Sequence, residues 1–307
     1  MDSRPHGDPF VESPPTRQIL TLEERGEDVF RGHAYSAAPR IYGGQALGQS
    51  VLAASMTVDR DRPVHSLHGS FIHPGRTDEP VDYHVERTRD GNSFSTRVVH
   101  AKQLGRTIYV ANASFHKREE GLGHQTQVVT AATEPEQLPR LEAGLGDEVG
   151  SELDWLRKLR SNIGVEFRFP EEYPRLANRR GETRPPRQRA WIRADESLGD
   201  DPRVHAAGFA YCSDLFLLSA VLPPTGRHLE TPGLQLASLN HTIWFHSPFR
   251  ADEWQLYEQE GLWMGGGRGL SRGSLFDRNG ALLATTAQEG LLRFHPPQEN
   301  GERPLPG

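Results

Sequence analysis

The order of hydrophobic and polar positions changes its period several times along the chain, and each change marks a predicted element. Residues 44–58 place small and apolar residues at helical spacing, and this stretch begins at the second glycine of the pair Gly43 and Gly44. The next stretch, "VHSLHGSFIHPG", is typical of a strand that ends at a proline. The segment "PVDYHVERTRDGNSFSTRVVHAKQLGRTIYVANASFHK" then predicts three strands, because "RDGN" and "LGR" divide it and apolar residues alternate in "TIYVANASF".

The second half of the chain repeats this order of elements. "SDLFLLSAVL" predicts a short apolar helix, "LASLNHTIWFHSPF" a strand that ends at a proline, and residues 253–294 three more strands. Aligning Pro74 with Pro248 and Gly105 with Gly280 gives offsets of 174 and 175 residues (248 − 74 and 280 − 105). We interpret the pattern as a duplicated unit of one helix against a long antiparallel sheet. "GVEFRF" and "RQRAWIRAD" predict strands that open the second unit.

Several stretches resemble the acyl-CoA thioesterase II (TesB-like) family, among them "YGGQALGQSVLAA", "RTRDGNSFSTR", "AWIRA", "SDLFLL", "LASLNHTIWFH" and "ATTAQEGLLR". The resemblance implies an α+β double hotdog fold, in which each of two fused units wraps an antiparallel sheet around a central helix. It also implies a thioesterase that hydrolyses acyl-CoA to a free acid and CoA. The expected division is a tail at 1–18, an N-terminal hotdog at 19–118, a linker at 119–160, a C-terminal hotdog at 161–296 and a tail at 297–307.

The resemblance carries three catalytic residues to this chain by motif: Asp214 in "SDLFLL", Ser238 in "LASLNH" and Gln288 in "TTAQEG". Their family role is to hold and polarise an attacking water, which requires no metal and no cofactor. Each has a plainer alternative, because Asp214 could cap or start a helix and Ser238 could be a small polar strand residue. Gln288 and Glu289 must face opposite sides of a strand, so Glu289 is the reserve candidate for the base.

The glycine-rich start of the first helix suggests donors for the thioester carbonyl. Gly43, Gly44 and Gln45 could direct backbone N–H groups at that oxygen, although close packing explains the glycines equally well. Subtracting about 174 from the three catalytic positions leads to residues of unlike chemistry, namely Arg40, Val64 and Ser114. We therefore expect one active site per chain, with the first unit shaping the channel for the acyl group and CoA.

Charge and composition limit the possible partners and compartment. A net charge of −6 gives nucleic-acid binding no global support. Residues 157–193 hold eleven Lys or Arg and four Glu, a balance of +7 (11 − 4), which indicates either contact with CoA phosphates or a solvated basic linker. The single cysteine, Cys212, and the lack of a secretory region or a membrane-length apolar run predict a cytoplasmic protein without a membrane span. Because sheet edges need cover and the family associates, we expect a homodimer or larger homo-oligomer.

Two motifs are discounted and two other functions stay open. "GLSRG" fits a serine-hydrolase elbow, but a strand rather than a helix follows Ser271. His65 and His68 fall on opposite strand faces, which argues against a shared metal. His241 could support Ser238. The alternatives to a thioesterase are another hotdog acyl-CoA enzyme, such as a hydratase or dehydratase, and a non-catalytic acyl-CoA-binding module.

Overall fold

The computed structural model describes residues 16–33, 40–126, 132–139 and 163–295. Within these ranges the chain forms four α-helices: α1 Thr16–Ile19, α2 Gly43–Met56, α3 Pro174–Arg179 and α4 Pro202–Ser213. The strands are β1 Leu22–Gly26, β2 Val29–Gly32, β3 Val64–Phe71, β4 Val81–Asp90, β5 Phe94–Gln103, β6 Arg106–His116, β7 Val165–Arg168, β8 Arg187–Ala194, β9 Leu234–Phe245, β10 Gln255–Gly265, β11 Arg268–Phe276 and β12 Leu282–Phe294. Short 3-10 helices span Pro135–Gln137, Leu218–Val221 and Pro223–Thr225.

All twelve strands join one antiparallel sheet in the order β1-β2-β4-β5-β6-β3-β9-β12-β11-β10-β8-β7. The order is the same read outwards from the β3–β9 junction, because β3, β6, β5 and β4 match β9, β12, β11 and β10. At that junction Ser66 pairs with Trp244 and Gly69 pairs with His241. The sheet and its two inner helices confirm the expected α+β double hotdog.

The repeat extends to the residue-by-residue pairing of the strands. β3 skips one residue between Val64 and Ser66 where it pairs with β6, and β9 skips one between Ser238 and Asn240 where it pairs with β12. The two bulges therefore lie 174 residues apart (238 − 64), as the proline alignment predicted. Bulges redirect the side chains around them, so this shared irregularity fixes where Ser238 points.

The two inner helices, α2 and α4, run antiparallel to each other over the sheet. Residues 44–55 of α2 are buried along the whole length of the helix, and glycines form its contact with α4. A methyl group on Gly48 would lie 2.8 Å from the Ala207 carbonyl oxygen, and one on Gly44 would overlap the Tyr211 carbonyl oxygen. Close helix packing therefore requires glycine at both positions.

The predicted helix "SDLFLLSAVL" is wrong in position. The second inner helix is α4, which begins after Asp201, whose side chain accepts a hydrogen bond from the Arg203 N–H, and has Pro202 in its first turn. Asp214 caps the C-terminal end of α4, so the alternative in which Asp214 starts a helix is also wrong. The apolar residues that suggested the helix form a short 3-10 helix, Leu218–Val221, instead, and a second 3-10 helix, Pro223–Thr225, follows in the same connection to β9.

The predicted linker lies partly outside the described residues, as do both predicted tails except for residues 16–18. The described linker residues 132–139 pack against the second repeat. There, the Trp191 indole N–H donates to the Thr133 carbonyl at 2.9 Å, and Leu138 contacts a small apolar cluster with Trp254. At the N-terminal end, the buried Thr16 hydroxyl donates to the Gly164 carbonyl. Residues 16–18, predicted as part of a tail, therefore pack onto the folded unit.

We expect Gly44→Ala to destabilise the protein by at least about 2 kcal/mol, because the added methyl group overlaps backbone that cannot move without shifting α4. Urea denaturation would measure the free energy of unfolding. Gly26→Ala is the matched control, since a methyl group at Gly26 meets nothing within 4 Å, and its effect should stay within about 0.5 kcal/mol. Equal stability of the two variants would contradict the packing account.

Candidate active site

The N-terminal end of α2 faces the C-terminal end of α4, and the Asp214 carboxylate lies between them. Its Oδ2 accepts a hydrogen bond from the Gly44 N–H at 3.0 Å. A methyl group on Gly43 would lie 2.7 Å from the same oxygen, so the carboxylate reaches the helix only because glycine is present. The positive end of α2 favours a negative charge at this point.

Gln288 joins Asp214 to Ser238. Its Nε2 donates to Asp214 Oδ1 at 2.6 Å and to Ser238 Oγ at 2.8 Å, which uses both of its N–H groups. The side chain is fully buried, and its Oε1 has no hydrogen-bond partner among the described residues. The structure thus brings the three predicted residues together from α4, β9 and β12. The amide oxygen that is left over can accept a hydrogen bond from a ligand or water.

The other carboxylate of the motif faces a different direction. Glu289 forms an ion pair with Arg268 at 3.3 Å, and it follows Gln288 on β12, where successive side chains alternate between the two faces. Of the two adjacent polar residues, Gln288 is therefore the one at the helix side.

Burial raises the pKa of Asp214 above its ordinary value, while the hydrogen bonds from Gln288 and Gly44 act in the opposite direction. Desolvation is the larger of these effects. A carboxylate that gives up solvent in this way holds a proton more readily than a surface aspartate does, which suits a group that takes a proton from water near neutral pH.

The sequence suggested that His241 supports Ser238. In the structure, His241 instead contacts Ser213 at the end of α4. Its ring Nε2 lies 3.0 Å from Ser213 Oγ, and that hydroxyl donates to the Ala210 carbonyl at 2.9 Å. The histidine must then donate through Nε2, and burial lowers its pKa to about 3, so it stays neutral. His241 is also the direct cross-strand neighbour of Gln288 on β9.

The backbone donors predicted for the thioester carbonyl are largely engaged elsewhere. The Gly44 N–H binds Asp214, and the Gln45 N–H donates to the Tyr42 carbonyl at 3.0 Å within the first helical turn. The buried Gln45 side chain donates to the His33 carbonyl at 2.7 Å. The Asp214 carboxylate and the helix turn thus occupy the N–H groups of Gly44 and Gln45 in this structure. The oxyanion role of Gly43, Gly44 and Gln45 stays a prediction.

Aromatic residues of the first repeat form the opposite wall of the site. The Phe71 ring would lie 3.1 Å from a methyl group on Gly43, and it packs on the Tyr109 ring with a centroid distance of 5.0 Å. Sequence reasoning missed both residues, because an aromatic at an inward strand position is typical of any core. The first unit thus contributes side chains beside the site, and its role in shaping a channel for the acyl group and CoA stays a prediction.

The first repeat holds an arginine where the second holds its polar site. Alignment by strand pairing and helix ends corrects the sequence-based counterparts of Asp214, Ser238 and Gln288 to Thr57, Val64 and Ala113. Arg97 pairs with Ala113 as Ser271 pairs with Gln288. Its buried guanidinium donates to the Thr57 hydroxyl at 2.8 Å and to the Thr57 carbonyl at 3.0 Å.

The discounted motifs have structural explanations. Ser271 lies inside β11 with no helix after it, and the flanking Gly269 and Gly273 make room for Val221 and Tyr257 side chains. His65 lies by Ser114 and His68 by Thr242, on different partners. Across the residues that the structure describes, no group of three His, Cys, Asp or Glu side chains is arranged to hold a metal ion.

The described part of the basic stretch is paired with its own carboxylates. Arg180 binds Glu172 at 2.9 Å and Glu182 at 2.8 Å, and Arg187 binds Glu260 at 3.1 Å. This arrangement favours the solvated surface over contact with CoA phosphates. Pro202–Thr225 has the length and apolar character of a membrane span, but 94% of its most apolar window is buried inside the protein, as in a core helix.

Two sequence profiles match the chain in line with its two repeats. The profile of the acyl-CoA thioesterase N-terminal domain matches residues 32–116, and that of acyl-CoA thioesterase matches residues 163–291. Acyl-coenzyme A thioesterase 8 of Rattus norvegicus is 40% identical over 290 residues, which cover 91% of this chain and 88% of that protein. Acyl-CoA thioesterase 2 of Haemophilus influenzae is 33% identical over 278 residues, covering 90% and 96% of the two chains.

The folds of solved structures agree with these sequence matches. The crystal structure of an acyl-CoA thioesterase II, TesB2, from Mycobacterium marinum superposes with a TM-score of 0.73 at 37% identity. The match covers 92% of this chain and 99% of that one. A tesB protein of Mycobacterium avium subspecies paratuberculosis gives the same TM-score at 28% identity.

We expect Arg97→Met to cost about 3 kcal/mol of folding free energy, because it removes a buried guanidinium and leaves the Thr57 carbonyl without its donor. Urea denaturation would measure the change in the free energy of unfolding, provided that its dependence on urea concentration has the same slope in both proteins. Arg106→Met is the control, since Arg106 is exposed, and it should change stability by no more than about 0.5 kcal/mol. A stable Arg97→Met protein would show that the guanidinium is dispensable.

Proposed function

The chain belongs to the acyl-CoA thioesterase family, and from that premise we propose that it hydrolyses acyl-CoA by direct attack of a water held by Asp214, Ser238 and Gln288. The observation that supports the proposal most strongly is the convergence of the three side chains, with contacts of 2.6 and 2.8 Å around Gln288 Nε2. They come from three separate elements, so their meeting is not a local accident of sequence.

In the proposed reaction, the water oxygen attacks the thioester carbonyl carbon while the Asp214 carboxylate accepts one proton of that water. The unpartnered Gln288 Oε1 accepts a hydrogen bond from the second water proton and Ser238 Oγ fixes the orientation of the amide. The tetrahedral intermediate then breaks its carbon–sulfur bond. The proton held by Asp214 passes to the departing sulfur, which leaves a carboxylic acid and CoA as products.

The geometry favours hydrolysis over the hydratase alternative. A hydratase of this fold class needs a histidine at the reacting centre, but the Nε2 of His241 is engaged with Ser213 Oγ at the end of α4. A non-catalytic binding module would have no need for a buried amide that orders a carboxylate and a hydroxyl. The arrangement of charge and hydrogen bonds therefore supports an enzyme that activates water.

We expect Asp214→Asn to lower kcat for thiol release from acyl-CoA by about 10³-fold, because the variant cannot accept the proton of the attacking water. Thiol release would be followed over a panel of acyl chain lengths. Glu289→Gln is the matched control, since Glu289 is the adjacent carboxylate on the other sheet face, and it should retain turnover. Normal release by Asp214→Asn, or loss in Glu289→Gln, would reassign the base.

The raised pKa of Asp214 predicts the acid limb of the pH profile. Turnover should fall as pH decreases through a midpoint above the ordinary carboxyl pKa of about 3.9, because protonated Asp214 cannot act as a base.

The same shift predicts a change in stability with the opposite sign. A carboxyl whose pKa is raised by folding contributes stability at low pH and loses that contribution as pH rises through the folded-state pKa. Relative to wild type, Asp214→Asn should therefore gain stability as pH rises from acid to neutral. A pH-independent difference in the free energy of unfolding would contradict the raised pKa.

A further inference from the structure

Tyr109 carries a buried hydroxyl without a partner among the residues that the structure describes. The residue lies on β6 with 1% of its surface exposed, and its Oη makes no hydrogen bond to any described residue. Burying a hydroxyl in this state is unfavourable, so most buried tyrosines find an acceptor. Tyr83, on β4, is the ordinary case, because its Oη donates to Gln49 Oε1 at 2.6 Å.

The Tyr109 side chain crosses β3 towards the second repeat. Its hydroxyl occupies the space above Gly69, where any side chain would overlap it. Gly69 pairs with His241, and His241 pairs with Gln288 in the same row of the sheet. The glycine therefore opens a path along which the phenol reaches from the first repeat towards the site in the second.

Phe71 connects Tyr109 to the catalytic carboxylate. Phe71 and Tyr109 are a direct cross-strand pair on the inner face, with ring centroids 5.0 Å apart. The position of a methyl group on Gly43 is 3.1 Å from the Phe71 ring and 2.7 Å from Asp214 Oδ2. Burial first, and then the nearby Asp214 charge, raise the pKa of Tyr109, so the phenol stays protonated and is a donor.

Hydrolysis of a thioester requires a donor for the carbonyl oxygen as negative charge develops on it. The Gly44 and Gln45 N–H groups already have acceptors, so the first turn of α2 supplies less than the glycines suggested. We propose that the Tyr109 hydroxyl donates a hydrogen bond to the thioester carbonyl oxygen of bound acyl-CoA and stabilises the oxyanion. The phenol keeps its proton throughout, and this inference rests on the proposed function.

The test is Tyr109→Phe, which removes one oxygen and keeps the ring. We expect kcat for thiol release to fall about 10²-fold with little change in KM, because the hydrogen bond strengthens as charge develops. The thermal midpoint should stay the same or rise, since an unpartnered buried hydroxyl has been removed. Tyr83→Phe is the control, and it should keep kcat while losing stability, because it leaves Gln49 Oε1 with only the long 3.4 Å contact from Gln45 Nε2.

A spectroscopic measurement separates a contact with substrate from a packing effect. The probe is an acyl-CoA analogue in which a methylene replaces the sulfur, so that the bound ketone is not hydrolysed. Its carbonyl stretch should lie at lower frequency in wild type and in Tyr83→Phe than in Tyr109→Phe. Equal frequencies, or a kcat within about threefold of wild type, overturn the role of Tyr109 while the thioesterase proposal stands. Failure of wild type itself to release thiol from any acyl-CoA overturns the proposed function.

Discussion

The arrangement of this protein depends on one contact, in which the N-terminal end of α2 meets the Asp214 carboxylate at the C-terminal end of α4. A negative charge at the end of its own helix is unfavourable, and the Gly44 N–H and the positive end of α2 offset that cost. The contact demands glycine, since any side chain would separate the helices. Through Gln288, the same carboxylate is joined to Ser238, so the packing of two helices also sets the geometry of this polar cluster.

The two repeats place side chains of opposite charge at the C-terminal ends of their inner helices. In the first, the Arg97 guanidinium donates to Thr57 at the end of α2, where a cation is favoured. In the second, Asp214 stands at the end of α4 in the position that corresponds to Thr57, and it accepts hydrogen bonds from Gly44 and Gln288. The Arg97 guanidinium is buried against the end of α2, whereas in the second repeat Gln288 bridges Asp214 and Ser238 and keeps one amide oxygen without a partner among the described residues. The shared fold therefore carries a polar site in the second repeat and a buried arginine in the corresponding region of the first.

Alternation and turn residues predicted the strands from β3 to β6 and from β9 to β12 with their repeat offset, because those signals are local. The helix α4 was missed, although Asp201 followed by Pro202 is a helix-start signal, because the apolar run after Asp214 was the stronger pattern. Motifs predicted Asp214, Ser238 and Gln288, and the structure brings them together. Tyr109 could not be predicted, since only the fold reveals that its hydroxyl lacks an acceptor.

Joining β3 to β9 within one chain has a consequence for how the enzyme behaves at low concentration. The site takes Gly44 and Phe71 from one unit and Asp214 from the other, so two separate hotdog subunits would lose it whenever they came apart. A covalent connection holds the halves at a high effective concentration that dilution does not change. Dilution should therefore not lower the activity per chain by separating the two repeats at the β3–β9 junction. Each repeat can also differ in sequence from the other, because neither has to pair with a copy of itself.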